Sequence, residues 1–102
     1  MKLIKRLSDM IEDELEGAHD YAKAALELKD TQPDLARALY NISAQEMDHM
    51  NILHQQVVDQ INEYKKTKGD PPEAMMAVYD YLHAKHIDAA AEVKALQTLF
   101  TR

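Results

Sequence analysis

The chain has no cysteine and no tryptophan, one phenylalanine, two glycines and three prolines among its 102 residues. Without cysteine it can form no disulfide, no thiol-based active site and no thiolate-bound zinc or iron–sulfur centre. Aromatic, valine and threonine residues are few, which disfavours a β-sheet, whereas the abundant alanine, leucine, glutamate and lysine favour helices. One all-α domain over residues 1–102 is therefore expected.

Positive charge is also scarce, because 12 lysines and arginines stand against 18 acidic residues, for a net charge of −6. This balance argues against nucleic acid as a partner, since phosphate binding needs a basic surface. It disfavours an anionic membrane surface for the same reason. The apolar residues near the N-terminus are interrupted by charges, which predicts neither a signal peptide nor a membrane span. The cytoplasm is the expected location.

Three helical segments are predicted, at about Lys2–Lys29, Pro33–Lys66 and Pro71–Phe100. Pro33 and Pro71 suit the first turn of a helix, Gly69 suits a helix end, and Thr31 and Asp70 are expected N-caps. The short first connection predicts a long antiparallel hairpin, to which the third helix is added. Three long helices leave apolar surface uncovered, so a dimer or larger homo-oligomer is expected.

Each helix carries an apolar stripe with helical spacing. The first stripe comprises Leu3, Leu7, Met10, Ile11, Ala18, Tyr21, Ala25 and Leu28. The second comprises Leu35, Leu39, Ile42, Met50, Leu53, Val57, Ile61 and Tyr64. The third comprises Met75, Val78, Tyr79, Leu82, His86, Ala89, Val93, Leu96 and Phe100. Glu14 interrupts the first stripe, and Glu46 and His49 interrupt the second, at positions where both carboxylates are expected to face the core.

Glu14 and Glu46 are expected to meet, because they lie about 16 residues before and about 15 residues after the turn of the hairpin. Two neighbouring carboxylates repel each other unless one is protonated or a cation bridges them. His49 adds a nitrogen ligand one turn after Glu46, and such an oxygen-rich set suits iron or manganese better than structural zinc. Singly, each residue has a simpler interpretation, a glutamate reaching water or a hydrogen-bonded core histidine. Together, at matching depth, the three favour a metal site.

The sequences Glu14-Leu15-Glu16-Gly17-Ala18-His19-Asp20-Tyr21 and Glu46-Met47-Asp48-His49 carry a family resemblance. Over about residues 3–65 the chain resembles the ferritin-like superfamily, in particular rubrerythrin-like and encapsulated-ferritin-like proteins. The resemblance implies that Glu14, Glu46 and His49 bind iron and that the protein is a ferroxidase-type oxidoreductase. Its role would be Fe(II) oxidation, iron handling or protection against oxidative stress. Which glutamate bridges two metal ions is left open, and Tyr21 is either a packing residue or a hydrogen-bond donor beside the ligands.

The chain departs from the larger family members because it supplies only half of a di-iron ligand set. Di-iron carboxylate bundles take a Glu from each of two helices and a Glu-x-x-His from each of the other two. Two copies related by a twofold axis would complete that set and a ferritin-like four-helix bundle, with two irons per dimer, or manganese or zinc instead. A rubredoxin-type centre is excluded by the lack of cysteine. An encapsulin shell is a further candidate partner, but no docking tail is seen after Phe100.

The remaining histidines are given simpler interpretations. His83 and His86 have the spacing of a two-histidine metal site, but a core or interface role is preferred for His86. His54 is placed on the shoulder of the second helix and His19 on an exposed flank. Four acidic residues form a cluster that is best explained as a solvated face: Asp9, Glu12, Asp13 and Glu16.

Two other functions compete with an iron enzyme. One is a non-enzymatic helical assembly or adaptor module that has the same fold and holds no metal. The other is a zinc or manganese binder without redox activity, which differs only in the ion that is bound.

Overall fold

The structure is a computed structural model that describes residues 2–102. Three helices fill this range, α1 (Lys2–Leu28), α2 (Pro33–Lys68) and α3 (Glu73–Thr101), and no strand is found within it. The all-α prediction is confirmed, and each predicted helix end lies within two residues of the observed one. None of the helices in residues 2–102 has the length and apolar content that crossing a bilayer requires.

α1 and α2 form the predicted antiparallel hairpin. At its open end Ile4 and Ile11 pack with Val57 and Ile61, and near the turn Ala25 packs with Ala36. Small residues on α1 let the helices approach closely, since Ala18, Ala22 and Ala25 are fully buried. In the middle of the hairpin the Ser43 hydroxyl donates a hydrogen bond of 2.7 Å to the Ala18 carbonyl oxygen.

α3 runs parallel to α1 and packs chiefly on α1 rather than on α2. Its last turn is fixed beside the hairpin turn, where the Phe100 ring stacks on Tyr40 with 4.8 Å between ring centroids. The Lys29 ammonium donates to the carbonyl oxygens of Phe100 and Arg102 at 2.6 and 2.9 Å. A cation on the last carbonyls of a helix also complements its dipole. The resulting molecule measures 55 × 19 × 18 Å.

The predicted N-caps are wrong. Gln32 takes the N-cap position of α2, since Pro33 is the first helical residue and Thr31 is one position too early. Asp70 does not cap α3, which begins at Glu73. Residues before proline are pushed towards extended backbone, so Asp70 and Pro71 both stay outside the helix. The predicted stop is confirmed, because Gly69 follows α2 with a φ of 83°.

The predicted apolar stripes combine two different faces of each hairpin helix. Ile11, Ala18, Ala25, Val57 and Ile61 are buried as predicted. Other members of the hairpin stripes are exposed, namely Leu3, Met10, Tyr21 and Leu35, as is Val78 on α3. The buried side of α1 is instead completed by residues that were not assigned to its stripe: Ile4, Ser8, Leu15 and Ala22. One face of the hairpin, on the side that α3 does not cover, therefore stays open and partly apolar.

Candidate metal centre

Glu14, Glu46 and His49 come together near the middle of the hairpin. Each offers a ligand atom, and these atoms all lie within 4.8 Å of one another. The expected meeting of the two carboxylates across the antiparallel pair is thus confirmed. Glu46 and His49 share a face because residues three apart on a helix are neighbours, and the hairpin turn brings Glu14 to the same height.

The cluster lies on the open face rather than in the core, which corrects the prediction that both carboxylates face the core. The Glu14 side chain is 24% exposed and the His49 side chain 58% exposed. Glu46 is half-buried. The reason is that α3 covers the opposite side of α1, so nothing in the chain closes over the three side chains.

The hydrogen bonding of the cluster is incomplete. His49 Nδ1 lies 3.5 Å from Glu14 Oε2, which is longer than a normal hydrogen bond. Glu14 Oε2 is itself buried and has no hydrogen-bond partner among the residues that the structure describes. Within residues 2–102 no lysine or arginine forms an ion pair with either carboxylate. A buried carboxylate oxygen without a donor is suited to a cation.

The two carboxylates influence each other's ionisation. The pKa of Glu46 is raised above its usual value, chiefly because Glu14 is close enough to hydrogen-bond with it when one of the two carboxyl groups is protonated. Partial burial and the negative charge of Glu14 raise it further, while His49 acts in the opposite direction. The pair therefore holds a proton more tightly than a free glutamate does, and an arriving cation would displace it.

Gly17 of α1 lies beside the Glu46 carboxylate of α2. A Cβ atom at position 17 would lie 3.5 Å from Glu46 Cδ and 3.6 Å from both of its carboxylate oxygens, which is ordinary van der Waals contact. Gly17 stands three residues after Glu14 on the same face of α1. An alanine at this position would therefore fit beside the Glu46 carboxylate.

Tyr21 and the predicted acidic cluster do not add ligand atoms to the three-residue group. Tyr21 is exposed on the open face. Two residues of the acidic cluster have basic partners elsewhere, since Lys5 contacts Asp9 at 2.8 Å and Lys85 contacts Glu12 at 3.6 Å. These contacts fit the predicted solvated face.

A second group of polar side chains lies where α2 meets α3. The rings of His54 and His83 are 4.9 Å apart, and the Tyr79 hydroxyl lies 3.3 Å from His83 Nδ1. His86 Nε2 is buried and lacks a hydrogen-bond partner within residues 2–102. His83 and His86 could be paired by their spacing in the sequence, but His54 could not, because its contact depends on how α3 is placed. His19 does not belong to this group, and its Nδ1 lies 3.8 Å from Asp20 Oδ1.

Comparison with family models, with characterised proteins and with solved structures finds no match for this chain. The geometry and chemistry of its side chains therefore carry the functional proposal.

Proposed function

We propose that two copies of this chain pair across the open face, bind two ferrous ions between them, and oxidise the iron with oxygen or peroxide. The observation that carries the proposal is the convergence of Glu14, Glu46 and His49 within 4.8 Å, with a buried Glu14 oxygen that has no partner. A single chain offers three side-chain ligands, which are too few for two ions.

The donor set fits iron. Carboxylate oxygens and one imidazole nitrogen, with no thiolate, form the kind of site that iron and manganese occupy in proteins. A twofold-related copy would add the same three groups, giving four carboxylates and two imidazoles, the ligand set of di-iron carboxylate bundles. Four carboxylate charges would also balance two divalent cations. The location of the cluster on an uncovered face supports the pairing, since a second copy can approach it.

The chain's residues would act in distinct ways. Glu14 and Glu46 would hold the ions through their carboxylate oxygens, in their ionised forms. His49 would supply a nitrogen ligand from the next turn of α2. Iron bound in this way would supply one-electron transfer to oxygen or peroxide.

The test is an anaerobic Fe(II) titration followed by admission of air, with the near-ultraviolet absorbance of Fe(III) as the readout. Glu46→Gln keeps the size of the side chain and removes the ligand charge. Glu16→Gln is the matched control, because Glu16 is an exposed glutamate on α1 that does not belong to the cluster. Saturation near one iron per chain is expected for the wild-type protein and for Glu16→Gln, with loss of the saturable signal in Glu46→Gln.

Either of two results would reject the proposal. If the wild-type protein bound no iron specifically, a helical assembly module without metal would be the better account. If Glu46→Gln retained full stoichiometry, the iron would bind elsewhere on the chain. Binding without a change of absorbance in air would leave a metal binder that has no oxidase activity.

A further inference from the structure

A second cleft opens between α2 and α3, on a different side of α2 from the carboxylate cluster. Its volume is about 140 Å³, and its polar lining consists of His54, His83, His86 and Asn51. The remaining lining residues are apolar, so no carboxylate, lysine or arginine borders it. His54 follows His49 by five residues, which corresponds to ~7.5 Å along the helix axis and ~140° around it. The two sites are therefore separate.

The three imidazoles come from two helices and line the same cleft. The rings of His54 and His83 lie edge to face, with 4.9 Å between centroids and an interplanar angle of 86°. His86 follows His83 by three residues, so both lie on neighbouring positions of α3. No other pair of histidine rings is in contact within residues 2–102.

The hydrogen bonding leaves nitrogen atoms free to bind a ligand. The Tyr79 hydroxyl lies 3.3 Å from His83 Nδ1, and this contact does not involve Nε2 of the same ring. A metal-binding histidine usually has its other ring nitrogen held by such a neighbour, which fixes the ring and its tautomer. His86 presents a buried Nε2 with no hydrogen-bond partner among the described residues. An absent ion is one of the recognised explanations for a buried polar atom in that state.

Burial disfavours the charged form of two of the three rings. Burial lowers the pKa of His54, and the neighbouring His83 lowers it further. Burial also lowers the pKa of His86, against an opposing effect of Glu12.

We propose that His54, His83 and His86 form a second metal site, which takes a divalent ion that prefers nitrogen ligands, such as Zn²⁺. Imidazole ligands without carboxylate suit zinc, copper and nickel, and three histidines with one open position make a known type of zinc site. The nitrogen atoms of the three histidines lie farther apart than the ligand atoms of the carboxylate cluster. Within residues 2–102 only Glu14, Glu46 and His49 bring three ligand atoms within 4.8 Å of one another. Binding would turn the rings towards one ion.

The experiment measures Zn²⁺ binding by calorimetry in the Glu46→Gln protein, in which the carboxylate site is disabled. We expect about one Zn²⁺ per chain to remain, and a loss of affinity of at least tenfold when His83→Gln or His54→Gln is added. His19→Gln is the matched control, because His19 does not line this cleft, and it should leave the affinity unchanged. Tyr79→Phe should weaken binding by about tenfold without abolishing it, as expected for a positioning residue.

A second measurement uses no histidine variant, so its result does not depend on whether those variants fold. In a nitrogen-15 spectrum of the imidazole rings of the Glu46→Gln protein, Zn²⁺ should shift the signals of His54, His83 and His86 but not that of His19. The proposal is overturned if the Glu46→Gln protein binds no Zn²⁺, or if the three signals do not move. Unchanged affinity in folded His83→Gln and His54→Gln would also overturn it. None of these outcomes depends on whether the carboxylate site binds iron.

Discussion

At the scale of single residues, the raised pKa of Glu46 predicts how the free energy of unfolding depends on pH. The pKa of Glu46 is higher in the folded chain than its usual value of 4.5. The folded state therefore binds more protons between these two pKa values, and the free energy of unfolding falls as pH rises through that window. Above both pKa values the folded and unfolded states are both ionised, and the whole penalty is present.

Glu46→Gln removes this penalty, so we expect the metal-free variant to have a higher Tm than the wild-type protein at pH 7. The difference should shrink near pH 4, where the wild-type carboxyl is largely protonated. Thermal unfolding followed by circular dichroism in the presence of a chelator measures both. A variant that melts below the wild-type protein at pH 7 would show that the contacts of the Glu46 carboxylate outweigh its repulsion.

Ser43 is the residue that joins all three helices. It is fully buried, its hydroxyl donates to the Ala18 carbonyl oxygen, and it accepts a 3.0 Å hydrogen bond from Gln97 Nε2. Ser43→Ala removes both hydrogen bonds, and a loss of about 1–3 kcal/mol in the free energy of unfolding is expected. Thr98→Ala is the control, because the Thr98 hydroxyl is exposed and bonds only within its own helix. Urea unfolding should find it within about 0.5 kcal/mol of the wild-type protein.

At the scale of helices, the two glycines have opposite requirements. Gly17 lies inside α1, where a Cβ would make ordinary contact with Glu46, so Gly17→Ala should raise the free energy of unfolding by about 0.5–1 kcal/mol. Gly69 has a φ of 83° and no atom within 4 Å of the added Cβ. Gly69→Ala should therefore destabilise the chain by roughly 1–2 kcal/mol through backbone strain alone. Denaturant unfolding measures the change in the free energy of unfolding for each variant. A destabilising Gly17→Ala would mean that the Glu46 carboxylate cannot shift away from the added methyl group.

The helices were predictable because their signals are local. Gly69 and Pro33 mark ends through their own backbone preferences, and the length of the hairpin arms fixes the meeting of Glu14 with Glu46. Exposure was not predictable, because periodicity shows which residues are apolar but not what covers them. Met10 and Ile11 are adjacent apolar residues with opposite outcomes, exposed and buried. The contact of His54 with His83 depends on the packing of α3, which no spacing within α2 encodes.

At the scale of the whole molecule, the open face is the apolar surface of the hairpin that the chain itself does not cover. It carries exposed apolar side chains on both arms of the hairpin, among them Leu3, Met10, Tyr21 and Leu35. Met10 lies four residues before Glu14 and Tyr21 seven residues after it, so both share its side of α1. Apolar side chains on both sides of the carboxylate cluster suit the self-complementary interface that the proposed pairing requires.

Met10→Lys tests whether that face joins two copies, because it places a charge beside the proposed twofold axis. Met10 is 39% exposed, and Leu99 on α3, at 47%, provides a control of similar exposure away from the open face. Under the proposed pairing, sedimentation velocity should show Met10→Lys shifted to monomer and Leu99→Lys still dimeric. Iron stoichiometry should fall in parallel with dimer content, since a monomer retains only three ligands. A monomeric Met10→Lys protein that still bound one iron per chain would show that each chain builds its site alone.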